Sequence, residues 1–76
     1  MKELLEYIAR NLVDSPEDVR VTEINKGSEI VFEIRVAQPD MGKVIGRQGR
    51  IVGEIRTLMK SVAQRHGKRV SVEILD

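Results

Sequence analysis

The chain has 76 residues, which is enough for one small domain. It has no Cys and a single His, so a disulfide framework, a thiolate metal site and a histidine cluster are all excluded. The formal net charge is +1, 41% of the residues are hydrophobic, and no apolar run approaches the roughly 20 residues of a membrane span. Composition therefore predicts a soluble cytoplasmic domain over residues 1–76, without a cofactor, that is not an enzyme.

The first half of the chain predicts one helix and a β-hairpin. An amphipathic helix of about three turns is indicated by apolar residues at helical spacing: Leu4, Leu5, Ile8, Ala9 and Leu12. Pro16 ends this helix, because it pushes the preceding residue out of helical geometry. Residues 19–25 predict an edge or bulged strand. After a glycine turn at residues 26–28, the strict alternation over residues 30–36 predicts a second strand with Phe32 in the core.

The second half predicts two helices and a last strand. Asp40 is expected to cap a short helix over residues 41–45. A turn at residues 46–49 separates it from a longer helix that runs to about His66 and is closed by Gly67 at the C′ position. One apolar stripe follows this longer helix: Ile51, Val52, Ile55, Leu58, Met59, Val62 and Ala63. Alternating apolar residues at 70, 72 and 74 predict the last strand.

The order α-β-β-α-α-β limits the topology. A hairpin makes the first two strands antiparallel, and a right-handed crossover through the helix pair makes the second and third strands parallel. The predicted fold is therefore α+β, a three-stranded mixed sheet covered by three helices.

The small net charge conceals an asymmetry along the chain. Residues 1–38 hold five basic and eight acidic residues, a balance of −3, whereas residues 39–76 hold eight and four, a balance of +4. Such an asymmetry within one domain is typical of a positive face for a polyanion, although basic residues on a solvated helix would give the same count.

Residues 42–52, Gly-Lys-Val-Ile-Gly-Arg-Gln-Gly-Arg-Ile-Val, carry the strongest functional signal. Gly46 and Gly49 allow a sharp turn between two helices, or close approach of another backbone. The second helix begins beside the turn with unpaired N–H groups, and Lys43, Arg47 and Arg50 add positive charge there. These features together predict phosphate binding. The spacing fits neither a P-loop nor a dinucleotide-binding loop. A DNA-binding helix-turn-helix stays open because it also has a short turn containing Gly, although the first helix has only about five residues and the pair lies between two strands.

This segment resembles the GxxG loop of KH domains, and the order of elements is that of the type II KH fold. The whole chain is similar to the KhpA family of small bacterial proteins, each of which consists of one KH domain. The resemblance implies that the loop clamps the backbone of about four nucleotides of single-stranded RNA, above a groove of aliphatic side chains. The RNA-binding residues expected on this basis are Lys43, Val44, Ile45, Gly46, Arg47, Gln48, Gly49, Arg50 and Val52.

The resemblance also implies partners. Proteins of this family form homodimers and pair with a larger KH-domain protein, and they influence cell elongation and division as RNA regulators or RNA chaperones. Candidate interface residues on the long helix are Gly53, Leu58 and Met59. Gly53 is a candidate because a glycine in a helix interior usually allows something to approach closely. Exposed cations at Arg56 and Lys60 indicate either a second phosphate track or ordinary solvated charges.

Two alternatives remain at this stage. The protein could be an interaction subunit with a vestigial loop, or it could bind single-stranded DNA, which lacks only the 2′-hydroxyl contact.

Overall fold

The computed structural model describes residues 1–76. It contains three α-helices, which are α1 (Lys2–Leu12), α2 (Met41–Ile45) and α3 (Arg50–Gln64). Its three strands are β1 (Arg20–Lys26), β2 (Glu29–Arg35) and β3 (Arg69–Leu75). Short 3₁₀ turns at Pro16–Asp18, Gln38–Asp40 and Arg47–Gly49 connect these elements. The predicted order α-β-β-α-α-β is confirmed.

The strands form one sheet in the order β1-β2-β3, with β2 in the centre. Strand β1 is antiparallel to β2 and pairs without interruption from Arg20 opposite Arg35 to Lys26 opposite Glu29. Strand β3 is parallel to β2, with Ile30 opposite Val70. The mixed sheet predicted from the hairpin and the crossover is therefore confirmed, and β1 is a regular edge strand rather than a bulged one.

The core lies between the helices and one face of the sheet, because alternate residues of each strand point the same way. Phe32 is fully buried, as its position in the alternation predicted. The core contains apolar residues from every helix and strand: Leu5, Ala9, Val19, Val21, Ile30, Phe32, Ile34, Val36, Val44, Ile55, Met59, Ala63, Val70 and Val72. No helix is both long enough and apolar enough to cross a membrane.

Two residues were predicted to cap helices, Gly67 after α3 and Asp40 before α2, and they differ in the hydrogen bonds that they make. Gly67 lies at C′ with φ 67°, and the Lys68 N–H donates to the Ala63 carbonyl at 3.0 Å, which is the Schellman pattern expected of a C′ glycine. Asp40 precedes α2 as predicted, but its side chain makes no capping hydrogen bond. The predicted N-cap position is therefore confirmed, but the capping hydrogen bond expected there is absent, because this carboxylate accepts hydrogen bonds from a different segment of the chain.

Candidate nucleic-acid interface

The turn between α2 and α3 begins at Gly46, whose backbone has φ 77° and ψ 173°. This region is essentially restricted to glycine. A Cβ at Gly46 would lie 2.6 Å from Cγ1 of Ile51 and 2.9 Å from the Ile51 backbone nitrogen. Gly46 is thus required both by its backbone angles and by the close approach of the first turn of α3.

Gln48 and Gly49 complete the turn in the left-handed region, with φ 57° and φ 73°. The Gly49 N–H donates to the Gly46 carbonyl at 3.1 Å and closes the turn. A Cβ at Gly49 would lie 4.0 Å from the nearest atom, Cγ1 of Val52, which is an ordinary contact. The positive φ is therefore the only feature that favours glycine at position 49. The positive φ of Gln48 was not predicted, because Gln has no marked preference for that region, unlike Asn or Asp.

The two residues between the glycines face solvent. The N–H groups of Gly49 and Arg50 close the turn by donating to the carbonyls of Gly46 and Arg47, and the residues Arg47 and Gln48 are both exposed. The guanidinium groups of Arg47 and Arg50 take part in no salt bridge. The loop therefore places two unpaired cations beside an exposed turn bounded by glycines at the start of α3, an arrangement that favours an anion.

Lys43, by contrast, is already paired. Its Nζ lies 3.1 Å from the Asp14 carboxylate and 3.8 Å from Oδ1 of Asp40. The hydrogen bond to Asp14 and the attraction of its charge raise the pKa of Lys43 above its ordinary value of 10.5. Part of the positive charge that the sequence places beside the loop is thus compensated within the protein.

Asp40 anchors the loop-bearing helix pair to the end of α1. It is 2% exposed, and its two carboxylate oxygens accept hydrogen bonds from the N–H groups of Asp14 at 3.2 Å and Ser15 at 3.1 Å. No other charged residue is buried. This role was not predicted, because an Asp directly before a helix is typical of an N-cap. The donors of its hydrogen bonds lie about 25 residues earlier in the chain, and no local sequence pattern indicates them.

The expected aliphatic floor of the groove is only partly present. Ile45 is half-buried and offers some surface beside the loop, whereas Val52 is 6% exposed and lies beneath Gly49. Val44 is fully buried in the core. The expectation that Val44 contacts a base is therefore wrong for this structure, because its side chain has no accessible surface and supports α2 from below.

The three candidate interface residues of α3 differ in how far they are exposed. Leu58 is 43% exposed, more than any other large aliphatic side chain of the protein, and Gly53 is half-buried with open space where a Cβ would be. Met59 is fully buried against the sheet, so its expected place on an interface is wrong. The apolar stripe of α3 is thus narrower than the sequence pattern indicated, with Leu58 outside its margin.

Comparison with known proteins places this chain in a family. Residues 2–74 match the family model described as KhpA/KhpB, KH domain. The chain belongs to this KH-domain family. It is 53% identical to the RNA-binding protein KhpA of Chlamydia pneumoniae over 76 residues, which are all of this chain and 97% of the relative.

Relatives from other bacteria give the same result. The RNA-binding protein KhpA of Clostridium acetobutylicum is 53% identical over 75 residues, covering 99% of this chain and all of the relative. That of Aquifex aeolicus is 45% identical over the whole of this chain and 96% of the relative. No solved structure matches the chain.

Proposed function

We propose that this protein binds single-stranded RNA without catalysing a reaction, and that its GxxG loop clamps the sugar-phosphate backbone. The observation that carries the proposal is the exposed turn between Gly46 and Gly49, with the unpaired cations Arg47 and Arg50 beside it. A phosphate can approach this turn with little reorganisation, because Gly46 and Gly49 already fix its backbone. The relatives, which are named RNA-binding protein KhpA, support the same function.

The side chains beside the loop favour single-stranded over double-stranded nucleic acid. The chain has one Phe, which is in the core, and one Tyr, on α1, so it lacks the several aromatic side chains of a base-stacking platform. Ile45 and the half-buried face of α3 offer apolar contact to unstacked bases instead. Duplex grooves would not present their bases to such a short loop.

The test replaces the loop residues while sparing the fold. In the variant Arg47→Asp/Gln48→Asp, negative charge faces the phosphates, and Asp at position 48 tolerates the left-handed backbone better than most residues. We expect binding of a labelled single-stranded RNA pool, measured by fluorescence anisotropy at two salt concentrations, to be lost in this variant. Native binding should weaken as salt rises, because phosphate contacts release counterions.

A matched control carries the same change of charge elsewhere. The variant Arg10→Asp/Asn11→Asp alters two exposed residues of α1 and should keep most of the native affinity. Circular dichroism establishes that each variant is folded. Equal binding by the native protein and the loop variant would refute the clamp and favour the alternative, an interaction subunit whose loop is vestigial. The same sequences in deoxyribose form report whether a 2′-hydroxyl contact distinguishes RNA from single-stranded DNA.

We further propose that the protein assembles as a homodimer through the face of α3 that carries Leu58. The exposure of this side chain supports the assignment. Two loops on one RNA would raise avidity, because the second binding event becomes intramolecular. The variant Leu58→Asp should remain folded and have half the native mass in light scattering. A folded variant of unchanged mass would contradict the assignment.

The cellular role rests on family membership. We propose cytoplasmic post-transcriptional regulation, or RNA chaperone activity, together with a larger KH-domain protein and with an effect on cell elongation and division. Recovery of that partner with the native protein, and its loss with Leu58→Asp, would support a shared surface on α3.

A further inference from the structure

Lys43 differs from the other two cations beside the GxxG loop, because it alone is paired. Its Nζ lies 3.1 Å from Oδ2 of Asp14 and 3.8 Å from Oδ1 of Asp40. Arg47 and Arg50, which lie in the turn and directly after it, take part in no salt bridge. One of the three charges around the loop is therefore compensated by carboxylates of the protein itself. We call the three residues Lys43, Asp14 and Asp40 the lysine cluster.

The two carboxylates of the lysine cluster are held in different ways. Asp40 is buried, and its oxygens also accept hydrogen bonds from the N–H groups of Asp14 and Ser15. The side chain of Asp14 is 78% exposed and forms no salt bridge except that with Lys43. Asp40 is thus a fixed part of the fold. Asp14 can lose its ion pair at little cost, because water then solvates the exposed carboxylate.

The contact with Asp40 determines where the Lys43 ammonium lies. Asp40 directly precedes α2, three residues before Lys43, whereas Gly46 directly follows α2. The ammonium is therefore held at the end of α2 that lies away from the turn, and Asp40 and Gly46 are separated by about 9 Å along the helix axis. Lys carries its charge on a flexible four-carbon stem. Rotation about the side-chain bonds can thus bring the ammonium towards the turn while α2 stays in place.

A phosphate at the turn and the Asp14 carboxylate would compete for this ammonium. Both present anionic oxygen atoms, and an ammonium makes charge-assisted hydrogen bonds to either. The phosphate would also be attracted by Arg47 and Arg50, whereas Asp14 has no second cation. The hydrogen bond to Asp14 and the attraction of its charge raise the pKa of Lys43 above 10.5, so the side chain is charged at neutral pH.

From this arrangement we infer that Asp14 is an internal competitor of RNA, and that the Lys43 ammonium leaves Asp14 for a phosphate when the GxxG loop binds a strand. The inference rests on the proposed RNA-binding function and adds a regulatory contact to the same site. The native affinity is then lower than the three cations alone would give, because each binding event breaks an ion pair within the protein. An exposed ion pair changes an equilibrium by roughly 1.5- to 5-fold.

The test measures binding of a labelled five-nucleotide RNA, about the length that the loop holds, by fluorescence anisotropy. The variant Asp14→Asn removes the competing charge and keeps the N–H group that Asp40 accepts. We expect it to bind about 1.5- to 5-fold more tightly than the native protein. The variant Lys43→Gln should bind more weakly, and its slope of log affinity against log salt should be smaller by about 0.7, the value of one single-strand phosphate contact.

A double-mutant cycle separates the ion pair from the general field of a negative charge. In Asp14→Asn/Lys43→Gln the ammonium is absent, so the gain from Asp14→Asn should disappear relative to Lys43→Gln alone. The matched control Glu17→Gln removes an exposed carboxylate of the same segment that forms no salt bridge, and it should keep the native affinity. Circular dichroism establishes that each variant is folded.

Three results would overturn the inference while leaving the loop clamp intact. They are native affinity of folded Asp14→Asn, native affinity and salt slope of Lys43→Gln, and a gain from Asp14→Asn that persists in the double variant. Failure of the proposed function has a different signature. If the native protein does not bind the RNA, or if Arg47→Asp/Gln48→Asp binds it unchanged, the loop clamp is refuted and the competition by Asp14 with it.

Discussion

The geometry of Gly46 predicts that replacing it with Ala damages the whole domain. Two separate costs arise. Ala in this backbone region is strained by about 1–3 kcal/mol. Its Cβ would also meet Ile51, and rotation of that side chain relieves the 2.6 Å contact with Cγ1 but neither of the 2.9 Å contacts with Cβ and the backbone nitrogen. Such overpacking costs roughly another 1–3 kcal/mol.

The sum, about 2–6 kcal/mol, is large for this chain. At about 0.05–0.15 kcal/mol per residue, a domain of 76 residues has a total stability near 4–11 kcal/mol. Gly46→Ala should therefore lower the unfolding midpoint by at least about 8 °C, since each kcal/mol corresponds to about 4–8 °C at this size.

Gly27→Ala is the matched control, because Gly27 has a similar positive φ without the contact. Gly27 has φ 79°, and nothing lies within 4 Å of where its Cβ would be. Its replacement should cost only the strain, about 1–2 kcal/mol. Urea denaturation followed by circular dichroism gives both free energies of unfolding. A Gly46→Ala variant no less stable than Gly27→Ala would show that α3 yields to the added methyl group, and the packing argument would fail.

Two further replacements test other parts of the structure. Gly53→Ala should raise the free energy of unfolding by about 0.5–1 kcal/mol, because Ala favours a helix interior and the space is open; a decrease in the same urea experiment would show that the added methyl group meets a neighbour. Asp40→Ala leaves the N–H groups of Asp14 and Ser15 without their acceptor and should cost about 2 kcal/mol or more, read from thermal unfolding, with partial recovery in Asp40→Asn. Unchanged stability of Asp40→Ala would mean that water replaces the carboxylate.

Most of the fold could be predicted from the sequence, because its signals are local and periodic. The alternation from Ile30 to Val36 predicts β2, and the glycine at position 67 predicts the end of the helix pair. The parallel placement of β3 follows from the handedness of crossovers rather than from any residue. Periodicity was less reliable at the margin of a stripe, where Leu58 is exposed and its neighbour Met59 is buried.

The candidate site was predictable in its position and not in its details. Two glycines at a spacing of three, with cations around them, locate the loop. The left-handed Gln48 and the pairing of Lys43 with Asp14 depend on how separate segments meet in space. The anchoring role of Asp40 is of the same kind, since its partners lie at the end of α1.

The position of β3 has a consequence for biosynthesis. The central strand β2 needs β3 as its second neighbour, and Ile30 pairs with Val70, 40 residues later in the chain. At about 5–20 residues per second, a ribosome takes roughly 2–8 s to make those 40 residues. During that interval the apolar side chains of β2 have one neighbouring strand and no complete core. The domain therefore folds only as its last residues are made, and the nascent chain is most open to aggregation, or to capture by a chaperone, before Val70 and Val72 emerge.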